Sequence, residues 1–174
     1  MLPNLSIRPQ EADYAESYGK YVKLVPEGDI LSTLSRQLDA TLALLASIPE
    51  AQGNNRYAPD KWSLKEVLGH IVDAERIFSY RALRFARNDQ TPLPRFEIED
   101  YVRNGGFSEQ RLSDLAEGFQ LGRRANVHFF KHLDSAAWLR EGVANGKKAS
   151  VRALAYIIAG HETHHIQIIR AKYL

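Results

Sequence analysis

The sequence contains no cysteine. This absence excludes disulfide bonds, thiolate metal ligands and a cysteine nucleophile, so any transition metal must be bound by imidazole or carboxylate groups. The 23 basic and 21 acidic residues nearly balance and form no dense run, so nucleic acid is not an expected partner. The most apolar segment, 153–160, is too short to span a bilayer, and residues 1–10 lack the apolar centre of a signal peptide. We therefore expect a cytoplasmic protein without membrane contact.

What the chain does contain is typical of one globular domain: 174 residues, of which 44% are hydrophobic and 25% are charged. Residues 1–28 hold three prolines and two glycines among several tyrosines, which predicts an extended N-terminal arm with at most one short helical turn. Residues 29–174 are then the folded domain.

Apolar residues recur at helical spacing in four segments of this domain, at 29–49, 63–88, 108–132 and 150–174. Each segment begins with a residue type that often caps a helix N-terminus: Asp29, Ser63, Ser108 and Ser150. Ser63 is also followed three positions later by Glu66, the signature of a capping box. No segment alternates as a strand would, and 142–148 is expected to be a loop. The sequence predicts an all-α four-helix bundle with a long loop at 89–107 that includes a short helix near 97–103.

Six histidines are present, and their positions on the predicted helices separate them. At about 100° per residue, His161 and His165 fall at the centre of the apolar stripe of the fourth helix, one turn apart. His70 lies at the edge of the stripe of the second helix, where it faces a neighbouring helix. By contrast, His128 and His132 lie opposite the apolar stripe of the third helix, so we expect them to face solvent despite the same four-residue spacing.

Two imidazoles in a bundle core need polar partners, and a metal is one way to satisfy them. We therefore predict a metal site formed by His70, His161 and His165. Three imidazoles with an open coordination position are typical of a catalytic metal site. The alternative is that each histidine hydrogen-bonds to a carbonyl or carboxylate group and has only a structural role.

The segment 161–165, His-Glu-Thr-His-His, also matches the His-Glu-x-x-His motif of zinc proteases, in which Glu162 would be the general base. We reject this interpretation because the nine residues that follow contain no His, Asp or Glu to complete the ligand set. Glu162 remains a candidate for contacting a ligand histidine, and His164 is the only obvious fourth donor on this helix.

Four short motifs resemble the DinB/YfiT-like superfamily of metal-binding four-helix-bundle proteins from about residue 25 onward. They are Val-Pro-Glu-Gly-Asp at 25–29, Tyr-Ala-Pro-Asp-Lys-Trp-Ser at 57–63, Glu-Val-Leu-Gly-His-Ile at 66–71 and Gly-His-Glu-Thr-His-His-Ile at 160–166. The resemblance implies one metal-binding histidine on the second helix and a pair on the last, which match His70, His161 and His165. It also implies either thiol-dependent transfer or metal-dependent hydrolysis.

Three functions therefore stay open at this point. The first is an enzyme in which a divalent ion, zinc or nickel, activates a low-molecular-weight thiol for attack on a small-molecule substrate. The second is a hydrolase that uses the same site to activate water. The third is a non-catalytic helical module that binds metal or forms a homodimer; dimerisation is compatible with all three.

Five other residues are candidates for the surroundings of the site. Glu75 lies on the apolar stripe of the second helix, and Arg123 and Asn126 lie on that of the third. These polar residues either line the site, with Glu75 orienting a ligand histidine and Arg123 binding an anionic group, or form a buried structural ion pair. Trp62 and Tyr101 are candidates for the entrance of a substrate pocket, although ordinary packing would explain either.

Overall fold

Four long helices carry most of the chain in the computed structural model, which describes residues 4–174. In chain order the helices and strands are α1 (Gly19–Val22), α2 (Ile30–Ala46), α3 (Leu64–Ala86), α4 (Ile98–Asn104), α5 (Leu112–Lys131), α6 (Ser135–Leu139), β1 (Glu141–Ala144), β2 (Lys147–Ser150) and α7 (Val151–Lys172). The predicted all-α bundle is confirmed, with α2, α3, α5 and α7 as its helices. None of the helices within 4–174 is both long and apolar enough to cross a membrane.

Side-chain caps fix where three of the long helices begin. Asp29 accepts a hydrogen bond from the backbone of Ser32, and Ser150 accepts one from Ala153. Ser63 and Glu66 form the predicted reciprocal capping box at the start of α3. The prediction for Ser108 is wrong: this residue lies in a short 3₁₀ turn, Phe107–Glu109, and α5 begins only at Leu112.

The bundle places α2 and α3 on one diagonal and α5 and α7 on the other. Helix α3 packs against α5 and α7, and α2 packs against the same two helices, so α2 and α3 lie across the bundle from each other. Residues 47–63 therefore connect α2 and α3 across an end of the bundle. Residues 87–111 instead return along its length, because α3 and α5 lie side by side and begin at the same end. This arrangement brings α3 and α7, which carry the candidate ligands, side by side.

The interior consists of two apolar clusters separated by a polar layer. One cluster contains the first half of α7 and the second half of α3, and the other contains the first half of α3 and of α5. Between them lie buried charged residues near the middle of three helices: Glu75, Arg123 and Glu162. The three candidate histidines lie near the same level of the bundle.

The predicted N-terminal arm is more structured and more buried than the sequence suggested. It contains two 3₁₀ turns in addition to α1, and it places Tyr14, Tyr18 and Val22 in the first apolar cluster; residues 1–3 of the predicted arm lie outside the described residues. Helix α1 approaches α7 so closely that a Cβ atom at Gly160 would lie 2.0 Å from the carbonyl oxygen of Tyr21. Glycine at this position therefore allows the arm to pack beside the histidines.

The segment 142–148, which we expected to be a loop, is part of a β-hairpin. Strands β1 and β2 pair antiparallel, and Ala144 is paired with Lys147 across the turn. The turn residues Asn145 and Gly146 both have positive φ angles, as a two-residue hairpin turn requires. Tertiary contacts also hold the hairpin, since Ala144 bridges to Leu93 in the long loop.

Candidate metal centre

His70, His161 and His165 meet where α3 packs against α7. The Nε2 atoms of His70 and His161 are 3.0 Å apart, and the ring centroids of His161 and His165 are 4.5 Å apart. The ring of His70 lies 4.9 Å from each of the other two rings, centroid to centroid. One nitrogen from each residue can be chosen so that all three lie within 4.8 Å of one another. The structure thus brings together the three histidines predicted from the sequence.

Burial keeps these imidazoles neutral near pH 7. It lowers the pKa of His70 from 6.5 to about 4 and that of His165 to about 3. Burial also lowers the pKa of His161 well below its usual value, with neighbouring His165 and His70 adding to the effect. Because an imidazole binds a metal only when it is neutral, this environment favours ligation over protonation.

The donor set fits a divalent metal that accepts nitrogen ligands. Two nitrogens bound tetrahedrally at 2.0–2.1 Å from a zinc ion are separated by about 3.3 Å, close to the 3.0 Å between His70 and His161. The same short distance also fits a hydrogen bond between two neutral imidazoles in the metal-free protein. A metal bound by His70, His161 and His165 would supply Lewis acidity and would leave coordination positions for a small molecule.

Aromatic side chains surround the histidines on several sides. The ring of Trp62 lies 5.0 Å from that of His70, and Phe78 lies 5.8 Å from His161, centroid to centroid. Tyr21 from the arm lies 5.3 Å from His161. These rings limit solvent access and hold the imidazoles in place. Trp62, the predicted candidate for the pocket entrance, thus lies beside His70, whereas the contact of Tyr21 depends on how the arm folds back.

The remaining histidines do not join this group. The ring of His164 lies 5.0 Å from that of His165, but His164 is not one of the residues whose donor atoms converge. His128, on α5, and His132, directly after its last residue, are both exposed, as predicted. The structure therefore offers three convergent imidazoles and leaves the fourth coordination position free of His164.

The buried charged residues form a separate network beside the histidines. The guanidinium of Arg123 is fully buried and donates to both carboxylate oxygens of Glu75, at 2.6 and 3.0 Å, and to the backbone carbonyl of Leu34. It is also 2.7 Å from a carboxylate oxygen of Glu162. The side-chain amide of Asn126 donates to Glu75 at 3.0 Å. Two interpretations were considered for Glu75 and Arg123, and these contacts favour the buried structural ion pair.

The carboxylate of Glu162 contacts residues of α2 and α5 and none of the three histidines. Its carboxylate accepts a hydrogen bond of 2.6 Å from Thr41 on α2 and pairs with Arg123 on α5. Burial raises the pKa of Glu162, and the guanidinium of Arg123 opposes this shift. The structure therefore gives no support for Glu162 as the general base of a zinc-protease motif.

Two cavities reach the histidines from different sides. A cavity of about 270 Å³ reaches His165 and is bordered by Trp62 and Glu99, whose carboxylate accepts a hydrogen bond from the indole of Trp62. A second cavity, of about 230 Å³, reaches His70 and His161. The substrate cavity was expected to include Tyr101, but this half-exposed residue lines neither cavity and packs on Phe96 instead.

Three cations in the second cavity were not selected from the sequence: Lys20, Arg81 and Lys147. Arg81 lies eleven residues after His70, a spacing that returns to the same face of a helix within about 20°. A charged residue on the buried face of α3, beside Phe78 and Ala82, was the signal that could have identified it.

Taken together, the fold and the site define a four-helix-bundle protein with a three-histidine group able to hold a metal ion. The chain belongs to the DinB superfamily, whose sequence model matches residues 33–169. It is similar in structure to YfiT from Bacillus subtilis, with a TM-score of 0.69 and 14% sequence identity over 95% of this chain and 93% of that chain. YfiT is described as a probable metal-dependent hydrolase with an unusual four-helix bundle topology. A search of curated proteins gave no match.

Proposed function

We propose that the protein is a metal-dependent enzyme that binds zinc or nickel through His70, His161 and His165 and activates a small thiol at that site. The observation that carries the proposal is the convergence within 4.8 Å of three neutral imidazoles, of which His70 and His161 are buried and His165 is half-buried. All three come from one chain, so the site does not need a second copy. The predicted homodimer remains a proposal.

The surroundings of the site favour a thiol over water as the nucleophile. A free thiol has a pKa of about 8.5 and is deprotonated by coordination alone, whereas attack by water usually needs a base to take the second proton. No carboxylate lines the cavity that reaches His70 and His161. Glu75 and Glu162 are both engaged by Arg123. Within residues 4–174, that side of the site therefore lacks an acidic side chain to act as a base.

Hydrolysis is the second candidate, and the similarity to YfiT favours it because that protein is described as a probable metal-dependent hydrolase. The same three histidines would then hold a metal that activates water. Two carboxylates, those of Asp60 and Glu99, border the cavity that reaches His165 and are the acidic candidates on that side. The predicted cytoplasmic location remains a proposal.

One electrophile can distinguish the two functions. The zinc-loaded protein is incubated with 4-nitrophenyl acetate, with and without 2-mercaptoethanol, and the products are separated. Thiol transfer joins the sulfur to the acetyl carbon, releases 4-nitrophenolate and yields the thioester. Hydrolysis releases the same phenolate but yields acetate.

We expect thioester formation that depends on both zinc and His161. The His161→Ala variant should lose it, whereas His128→Ala, a change of an exposed histidine on α5, should retain it. Acetate as the product, formed at the same rate without thiol, would support the hydrolase instead. If the wild type forms product from this ester no faster than the His161→Ala variant, both reactions are refuted for this ester, and the non-catalytic module is favoured.

A further inference from the structure

The cavity beside His70 and His161 contains a buried cation without an anionic partner. Arg81 is only 4% exposed, yet no carboxylate of residues 4–174 lies within ion-pair distance of its guanidinium. By contrast, the fully buried Arg123 has two carboxylate partners. An unpaired buried charge is costly, so a protein that retains one usually provides it with a ligand or another use.

Aromatic contacts explain only part of the position of Arg81. Its guanidinium carbon lies 5.7 Å from the ring centroids of both Phe78 and Phe96, which are cation–π distances. Rings that contact the face of a guanidinium leave its N–H donors free at the edge. The Tyr18 hydroxyl, a hydrogen-bonding neighbour, can satisfy few of the five. Burial lowers the pKa of Arg81, which is consistent with incomplete compensation of its charge.

Two lysines reinforce the positive charge of the same cavity. Lys20 and Lys147 both border it, and no acidic residue does. Within the part of the chain that the structure describes, neither lysine has a carboxylate partner, although the adjacent Lys148 pairs with Glu141 at 2.8 Å. The cavity therefore presents three cations to whatever enters it.

We propose that this cavity binds the carboxylate of the substrate or of the thiol through Arg81, with Lys20 and Lys147 nearer the opening. The planar fork of a guanidinium matches a carboxylate in two parallel hydrogen bonds. This proposal rests on the function proposed above, because the metal bound by the three histidines would set the position of the reacting sulfur.

The spacing along α3 also limits the shape of the ligand. Arg81 follows His70 by eleven residues, which corresponds to about 16 Å along the helix axis. Side chains lean toward the N-terminus of a helix, so the guanidinium of Arg81 is directed back toward His70. The metal-binding atom and the carboxylate of the ligand must therefore be separated by several bonds, across the apolar wall formed by Ala74 and Phe78.

The test compares two thiols of equal length, 6-mercaptohexanoate and 6-mercaptohexanol, on the cobalt-loaded protein. Binding is followed through the thiolate-to-cobalt charge-transfer absorption. We expect the acid to bind about 10-fold to 100-fold more tightly than the alcohol, as for a charged hydrogen bond pair. The Arg81→Met variant should reduce this ratio to about 1-fold to 3-fold, whereas Arg76→Met, on the exposed side of the same helix, should preserve it. If Arg81→Met does not fold, Arg81→Lys, which keeps the charge but loses the fork, should lower the ratio.

A second measurement, hexanoate binding to the metal-free protein, separates failure of this proposal from failure of the proposed function. Equal binding of both thiols to the wild type would overturn the carboxylate site while leaving thiol activation intact. Arg81-dependent binding of hexanoate without any charge-transfer band would support the carboxylate site and refute thiol activation. A preference for the acid that is unchanged in both Arg81 variants would refute the role of Arg81.

Discussion

Replacing Gly160 with alanine tests whether the close approach of the arm to α7 is a structural requirement. The added Cβ would lie 2.0 Å from the carbonyl oxygen of Tyr21 and 2.5 Å from its carbonyl carbon. Both are backbone atoms, so no rotation of a side chain can relieve the contact. Helix α1 would have to move by about 1 Å, since carbon and oxygen atoms in contact are normally more than 3 Å apart.

The expected cost follows from two opposing effects. Alanine has a higher helix propensity than glycine by about 1 kcal/mol. Overpacking of a well-packed interior costs about 1–3 kcal/mol, and more when backbone must move. We therefore expect a net loss of about 1–2 kcal/mol in the free energy of unfolding. Tyr21 packs on His161, so the displacement should also weaken metal binding.

Gly122→Ala is the matched control because nothing lies within 4 Å of the position of its Cβ in α5. The propensity effect acts alone there, and we expect a gain of about 0.5–1 kcal/mol. Both variants are measured by urea unfolding, where a shift in midpoint at constant slope reports stability. A Gly160→Ala variant as stable as Gly122→Ala would refute the packing of α1 against α7.

Two further predictions concern the charged interior and the histidines. Arg123→Met leaves Glu75 and Glu162 buried without their cation, so we expect a loss of about 3–5 kcal/mol in unfolding experiments at pH 8. The loss should shrink toward pH 5 as a carboxylate takes up a proton, and a variant as stable as the wild type at pH 8 would contradict the network. The folded-state pKa of His70 is about 4 against 6.5 ordinarily, so the unfolded chain binds more protons between these values. Because of the pKa of His70, the free energy of unfolding of the metal-free protein should therefore fall by about 3 kcal/mol as the pH falls from 6.5 to 4. The His70→Phe variant should lose less.

The helices were predictable because their signals are local. Asp29, Ser63 and Ser150 begin helices as expected, since a side chain that caps the backbone within three residues acts without tertiary partners. The hairpin was missed although the dipeptide Asn145-Gly146 is a known turn signal. Its strands are only four residues long and have few apolar residues, so alternation could not be recognised.

The site was predictable to the extent that one helix determines it. His161 and His165 share a face of α7, and this follows from spacing alone. The position of His70 required only that its helix lie beside α7. By contrast, the contact of Tyr21 and the cavity around Arg81 depend on the arm and the long loop folding onto the bundle. No local pattern encodes those long-range contacts.

The central claim is that His70, His161 and His165 bind a metal ion. The direct measurement is elemental analysis of untagged protein, purified without chelator and re-equilibrated with zinc and nickel, beside single alanine variants of these residues. The account predicts about one ion per chain in the wild type and in His128→Ala, with loss of tight binding in each of the three ligand variants. A wild type that retains no zinc or nickel, or an ion retained at the same level in all three variants, would contradict it.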